Sequence, residues 1–265
     1  MNKWNDRVHE TERIERIRSE IGFKGKKILE IGCGNGSLLK RIAVDYGAEQ
    51  VIGIDMFLKD WWKEGESKGD NWCIMDGNAE NLQFEDNSFD AIFSIATFEH
   101  IGNIEKTLSE IKRVLKPFGK FYTEFSPIWT SCAGHHYNFW IEEDVQLLPP
   151  WAHLYMNENE MKEYLFSSGV EDEKVKGIID FILYNPIINR HTRTDLLKWV
   201  TSSGMLIRNF SEQVSFSRNL LGFPHIGNDS ELTTEIKNKI MKTKYNYEDI
   251  GVNGMSFTLE KYKQI

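Results

Sequence analysis

At 265 residues, with 40% hydrophobic and 27% charged side chains, the chain can fill one large α/β core with an elaborated insert. It holds no apolar run long enough for a membrane-spanning helix. A formal charge of −8 leaves no excess of cations to neutralise phosphates, which argues against a nucleic-acid partner. The opening MNKWNDRVHETERIERIRSE lacks the apolar core of a signal peptide, and Cys33, Cys73 and Cys132 form neither a disulfide framework nor a zinc pattern, so a reduced, cytoplasmic setting is expected.

Residues 5–21 read as an amphipathic leading helix, with Val8, Ile14, Ile17 and Ile21 at helical spacing and Glu12 four residues before Arg16. From 27 to 126 short apolar runs alternate with helical stretches: KILEIG, SLLKRIAVDYG, VIGID, DAIFSIA, IEKTLSEIKRVLK and GKFYTEF. That alternation predicts a parallel sheet with crossover helices. Lys116, Pro117, Phe118 and Gly119 read as a helix stop in which Pro117 cannot continue the helix and Gly119 supplies an unusual backbone angle. Between 127 and 190, Pro127, Pro149, Pro150 and Pro186 separate aromatic-rich pieces, the composition of an inserted cap. Order resumes in TRTDLLKWVTSSG, where Thr192 and Asp195 have capping-box spacing and Gly204 can end the helix. LIRNFSEQVSFS and MSFTLEKY read as closing strands around a smaller, polar insert near 218–250. The whole is expected to be one domain: leading helix 1–26, cofactor-binding half 27–126, substrate cap 127–190, and closing elements 191–265.

ILEIGCGNG carries the most chemistry. Glu30 ends a strand, and Gly32, Gly34 and Gly36 let the following turn bend sharply and approach a ligand closely. A dinucleotide fingerprint would need glycine where Ser37 stands. Asp55, at the end of the next apolar strand, is placed to accept hydrogen bonds from both hydroxyls of a ribose.

On these residues the sequence resembles the class I S-adenosylmethionine-dependent methyltransferases. The resemblance covers residues 27–126 and implies a Rossmann-like, mostly parallel seven-stranded sheet flanked by helices. It also implies S-adenosyl-L-methionine as cofactor, with S-adenosyl-L-homocysteine as product. DGNAENLQFEDNSFD is similar to two family motifs run together, which implies that Asn78 and the backbone of Ala79 meet the adenine edge and that Met56 lies on an adenine face. Many relatives carry Asp where this chain has Asn78, whose side-chain oxygen still accepts. FSIATFEHI resembles the family's fourth-strand motif, implying that Ser94 and Ile95 offer backbone groups to the methionine part.

Methyl transfer to a hydroxyl needs a base, whereas an unprotonated amine attacks first and loses its proton afterwards. Base candidates in the insert are His135, His136 and His153; the first two are adjacent, so in an extended segment only one enters a given pocket. His100 reads as structural. Trp129, Tyr137, Trp140 and Trp151 suit either stacking on a substrate or filling a small cap, with filling favoured. These histidines with Glu142, Glu143 or Asp144 show no recognised metal-ligand spacing, so no metal is expected. The Asn/Asp-Pro-Pro-aromatic motif of amino-methylating nucleic-acid enzymes is absent at Ile95–Phe98. The expected activity is methylation of a small polar metabolite, foremost O-methylation of a sugar-like hydroxyl. N-methylation of a small amine and a non-catalytic cofactor-binding module are the alternatives.

Overall fold

The computed structural model describes residues 3–57, 68–137, 148–214, 235–236 and 238–263. The chain divides into two compact units: Met1–Phe125 with Lys198–Ser211 and Ser256–Ile265, and Ser126–Leu197 with Glu212–Met255. Among the described residues no helix is long and apolar enough to cross a membrane.

In chain order the first elements are α1 (Lys3–Ile21), β1 (Lys27–Ile31), α2 (Ser37–Asp45), β2 (Gln50–Asp55), β3 (Trp72–Asp76), β4 (Phe89–Ile95), α3 (Ile104–Val114) and β5 (Leu115–Phe125). After them come α4 (Ala152–Tyr155), α5 (Glu158–Ser167), α6 (Asp172–Ile179), running into a π-helical turn at Asp180–Tyr184, and α7 (Arg193–Ser202). The chain closes with β6 (Leu206–Val214), α8 (Tyr247–Ile250) and β7 (Val252–Glu260). The strands form one seven-stranded sheet in the order β3-β2-β1-β4-β5-β7-β6, with β3, β2, β1, β4 and β5 paired in parallel. This is the Rossmann-like architecture implied by the glycine turn and its neighbours.

The central strands β1, β2 and β4 bury almost every residue, as strands covered on both faces must. On one face Ile14, Ile17 and Ile21 of α1 and Leu39 and Ile42 of α2 join Ile28, Val51 and Phe93 in a continuous core. The side chain of Val8 lies outside the described residues. Elsewhere in this unit Phe98, Phe121, Phe125 and Phe257 pack as an aromatic cluster with ring centroids 5.5–6.2 Å apart. At the C-terminal end of α3, the Arg113 guanidinium donates to the carbonyls of Phe84 and Leu82 and to Asp86 and Glu110, and Leu82 N–H donates to Glu110. The segment after β3 is fastened to α3 in this way.

One strand was not read from the sequence, and two local expectations are corrected. Strand β3 has no clean sequence signal, because on this sheet edge only Ile74 of WCIMD is buried. The stop after α3 comes at Val114, and β5 begins at once. There the left-handed angle falls on Phe118 (φ 65°) rather than on Gly119, since Phe118 N–H is drawn to the carbonyl of Lys261 at 2.6 Å. Gly119 is needed for space, because a Cβ there would stand 2.8 Å from the Lys116 carbonyl oxygen. Finally, Arg16 turns to Glu124 rather than to Glu12. The capping box at α7 forms as expected: Asp195 N–H donates to Thr192 Oγ1 at 3.1 Å and Thr192 N–H to Asp195 Oδ2 at 3.0 Å, with Gly204 at φ 66° beyond the helix end.

Glu124 is the main polar anchor of α1. It accepts from Arg13 Nε at 3.2 Å, from Arg16 Nη2 at 3.0 Å and from the Tyr122 hydroxyl at 2.8 Å. Burial alone would raise its pKa, but the bonds from Arg16 and Tyr122 more than offset that and hold it below the ordinary carboxylate value. Glu124→Ala is expected to lower unfolding stability at pH 7 by about 1–3 kcal/mol, read from urea denaturation. An unchanged midpoint would show that apolar packing alone holds α1.

Candidate functional site

The parallel register aligns the C-terminal ends of the strands: Ile31 lies opposite Ile54 and Ser94, Asp55 opposite Asp76, and Ile95 opposite Glu124. Strand order reverses direction between β1 and β4, and the glycine turn leaves β1 at that crevice, where open α/β sheets bind their ligands. Gly32, Gly34 and Gly36 have φ of 72°, 48° and 67°, a region that favours glycine. At Gly32 the requirement is also spatial, because a Cβ would stand 2.1 Å from Thr97 Oγ1. At Gly34 a Cβ would meet no protein atom within 4 Å, so the turn presents open backbone.

A cleft of about 590 Å³ opens here, walled by Glu30, Gly32, Cys33, Gly34, Asn35, Ser37, Leu38, Ile95 and Ala96, and by His9, Glu10 and Arg13 of α1. Of the ten implied cofactor positions, Glu30, Gly32, Gly34 and Ile95 line it directly. Gly36 caps α2. Asp55 stands just behind, with Oδ2 accepting from Gly34 N–H at 2.9 Å and Oδ1 from Phe57 N–H at 2.8 Å, which fixes its orientation and leaves lone pairs for a diol. Met56 is 63% exposed, while Ala79 is buried. Asn78 Oδ1 accepts from Glu80 N–H at 2.8 Å in a local turn. The hydroxyl of buried Ser94 donates to the Ile31 carbonyl at 3.0 Å, so its side chain knits β4 to β1. Sequence reasoning did not single out His9, Glu10, Arg13 or Asn35, and read Ser37 only as a departure from the dinucleotide fingerprint. The helix residues come from far upstream on the polar side of an ordinary-looking amphipathic pattern, and only packing brings them to the cleft.

Glu30 is the electrostatic centre of the cleft. It is 2% exposed, and its Oε2 has no hydrogen-bond partner among the described residues. Burial pushes its pKa well above the ordinary carboxylate value; the Leu39 backbone N–H pulls the other way, and the charges of Asp55 and Glu10 add to the rise. Such a carboxyl suits a ligand that brings a cationic donor, and the ammonium of S-adenosylmethionine is one.

In the second unit, His135, His136 and His153 are all buried. The His153 ring stands edge-on to Trp129, with centroids 4.7 Å apart, and 5.0 Å from the ring of His135. His153 Nε2 bonds the Trp129 carbonyl at 2.7 Å, His136 Nδ1 bonds the Gly134 carbonyl at 2.8 Å, and His135 Nδ1 accepts from Tyr137 N–H at 3.2 Å. Burial pushes the pKa of His153 down to about 4 and that of His135 well below the ordinary histidine value. Trp129, Tyr137 and Trp151 are buried filling, with Arg190 over the Trp129 ring at 5.1 Å. Trp140, Glu142, Glu143 and Asp144 lie outside the described residues.

Residues 29–123 match the family described as a methyltransferase domain. A sterol 24-C-methyltransferase of Gibberella zeae is 36% identical over 111 residues, 40% of this chain and 29% of that protein. A ubiquinone/menaquinone biosynthesis C-methyltransferase of Idiomarina loihiensis is 28% identical over 62% of this chain and 68% of its own length. The chain thus spans 26–29% of the length of the sterol methyltransferases it matches. An S-adenosylmethionine-dependent methyltransferase structure from Mesorhizobium loti has the same fold, with a TM-score of 0.54 at 14% identity over 95% of this chain and 97% of that one.

Calorimetry with S-adenosylhomocysteine tests the cleft. Asp55→Ala is expected to weaken binding roughly ten- to a hundredfold, the equivalent of about 1–3 kcal/mol. Because the folded pKa of Glu30 is raised, its stabilising contribution is present at low pH and is lost as pH rises through that value. Glu30→Gln is therefore expected to raise the melting temperature of the free protein more at pH 8 than at pH 5, while weakening the ligand; a fall in melting temperature at pH 8 would contradict the buried-carboxyl account. Residues 29–123, which match the methyltransferase-domain family and fold into a sheet that reverses its order at a glycine turn answered by an acid, give this part of the chain the architecture of the class I S-adenosylmethionine-dependent methyltransferases.

Proposed function

We infer that the chain methylates a hydroxyl oxygen of a small, sugar-like metabolite. In this reading Glu30, Gly32, Gly34, Gly36, Asp55, Met56, Asn78, Ala79, Ser94 and Ile95 hold the cofactor, and His153 takes the acceptor's proton. The cleft at the glycine turn supports the first part. The state of His153 carries the second: its Nε2–H is committed to the Trp129 carbonyl, which fixes the tautomer and puts the lone pair on Nδ1, a buried atom with no hydrogen-bond partner among the described residues. His135 has its Nδ1 lone pair taken by Tyr137 N–H, and His136 is turned to the Gly134 carbonyl.

The bound cofactor supplies an electrophilic methyl group on a sulfonium, whose carbon–sulfur bond breaks with its electrons left on sulfur. The chain's own task is to hold an acceptor oxygen in line and to receive its proton at His153 Nδ1 as the oxygen–carbon bond forms. With its pKa at about 4, His153 is neutral and able to accept throughout the neutral range. Methylation at carbon is the second reading, favoured by the names of the relatives matched over the cofactor half.

A metabolite screen detecting S-adenosylhomocysteine identifies the acceptor. With that acceptor, His153→Ala is expected to lower turnover roughly a hundredfold or more while leaving affinity for S-adenosylhomocysteine within about twofold. Turnover should stay flat from pH 8 down to about 5.5 and fall only as pH approaches the His153 value of about 4. If His135→Ala, His136→Ala and His153→Ala all keep near-wild-type turnover, direct attack by an amine or a carbon replaces the base mechanism.

A further inference from the structure

Two guanidinium groups of α1 share the one carboxylate of Glu124, and they use it unequally. Arg16 grips it with a fork, Nε to Oε2 at 3.2 Å and Nη2 to Oε1 at 3.0 Å, whereas Arg13 offers only Nε, to Oε1 at 3.2 Å. The two Nη atoms of Arg13 have no hydrogen-bond partner among the described residues. Arg16 already ties the helix to β5, and a second cation at the same carboxylate adds a single bond against the repulsion of its neighbour. Arg13 differs from Arg16 in one further respect: it lines the cleft at the glycine turn, where no other described lining side chain is permanently cationic.

The strand register puts this fork on the same side of the sheet as Glu30. Residues directly opposite one another on paired strands point to the same face, as do residues two apart along a strand. Glu30 lies opposite Phe93 of β4, and Ile95, two residues on, lies opposite Glu124 of β5. Glu30 and Glu124 therefore share the face that α1 covers, where Phe93 and Ile95 meet Ile14, Ile17 and Ile21. Two strand spacings and two residue rises separate their backbones, about 12 Å. Into the cleft on that face Glu30 brings a buried oxygen without a donor, and Arg13 brings donors without an acceptor. Glu10, the other acid that α1 sends there, is taken by Arg41 at 2.8 Å. A ligand that carries a cation and an anion side by side satisfies both ends. The planar fork of an arginine matches a carboxylate, and an ammonium supplies the donors that a glutamate lacks. An α-amino acid has both groups on one carbon, and S-adenosylmethionine ends in one.

We propose that Arg13 binds the carboxylate of the cofactor's amino-acid end through its Nη atoms while Glu30 binds the ammonium, so that α1 is part of the cofactor site. Glu124 is then a positioning residue, which aims the fork by holding Nε. The assignment rests on the reading that the cleft at the glycine turn holds the cofactor, and on nothing about the acceptor or its base.

Calorimetry on the full chain with a pair of ligands tests it: S-adenosylhomocysteine, and its decarboxylated counterpart S-adenosyl-3-thiopropylamine, which keeps the ammonium and lacks the carboxylate. Wild type is expected to bind the first roughly ten- to a hundredfold more tightly than the second. Arg13→Gln is expected to erase that preference, weakening S-adenosylhomocysteine by the same factor and leaving the decarboxylated ligand within about twofold. Arg16→Gln, which loosens the helix but keeps the Arg13 fork, is expected to leave the preference in place. Equal affinity of wild type for the two ligands overturns the proposal. So does an Arg13→Gln variant that weakens both alike, because the residue then only supports the helix, or one that weakens neither. Asp55→Ala tells such a failure from failure of the cleft reading. If it weakens S-adenosylhomocysteine and Arg13→Gln does not, only the assignment of Arg13 falls; if neither change weakens it, the cofactor lies elsewhere and both readings fall.

Discussion

A carboxyl group buried at the end of β1, with one oxygen unpartnered, is a cost that folding alone does not return. The first unit is arranged around that group. Glu30 immediately precedes the glycine turn, the turn is held by Asp55 through Gly34 N–H, and Asp55 is itself positioned by the parallel register of β2 against β1 and β3. Continuous burial of the central strands makes this register rigid, since a one-residue slip would turn every side chain to the opposite face. A fold that keeps an unsatisfied acid in the lining of its cleft holds there a group that only an added donor could satisfy.

Much of the first unit was legible in the sequence because its elements are local: apolar runs of strand length, helical periodicity and a glycine-rich turn each declare themselves within a dozen residues. Strand β3 was not legible, since an edge strand with a single buried residue lacks the periodic signal that a buried strand has. Phe118 was misread because its left-handed backbone answers to Lys261, more than a hundred positions away. That the leading helix would lie over the ligand edge of the sheet was an expectation from the sequence, but which of its residues reach the cleft was not legible, as nothing in the spacing of His9, Glu10 and Arg13 tells which part of the sheet they will meet. The histidines were visible as candidates, but their tautomers depend on carbonyls and amides that only the folded chain brings near.

The attachment of α1 has a consequence for ionic strength. Its rear half is held by Ile14, Ile17 and Ile21 in the core, whereas the residues that reach the cleft are tied by charge, Glu10 to Arg41 at 2.8 Å and Arg13 to Glu124 at 3.2 Å. Apolar contact is indifferent to added salt at moderate concentration, but partly exposed ion pairs are screened by it. The cleft-facing turns of α1 are therefore its salt-sensitive part: added electrolyte weakens the ties of Glu10, Arg13 and Arg16 and leaves the apolar contacts of Ile14, Ile17 and Ile21 unchanged.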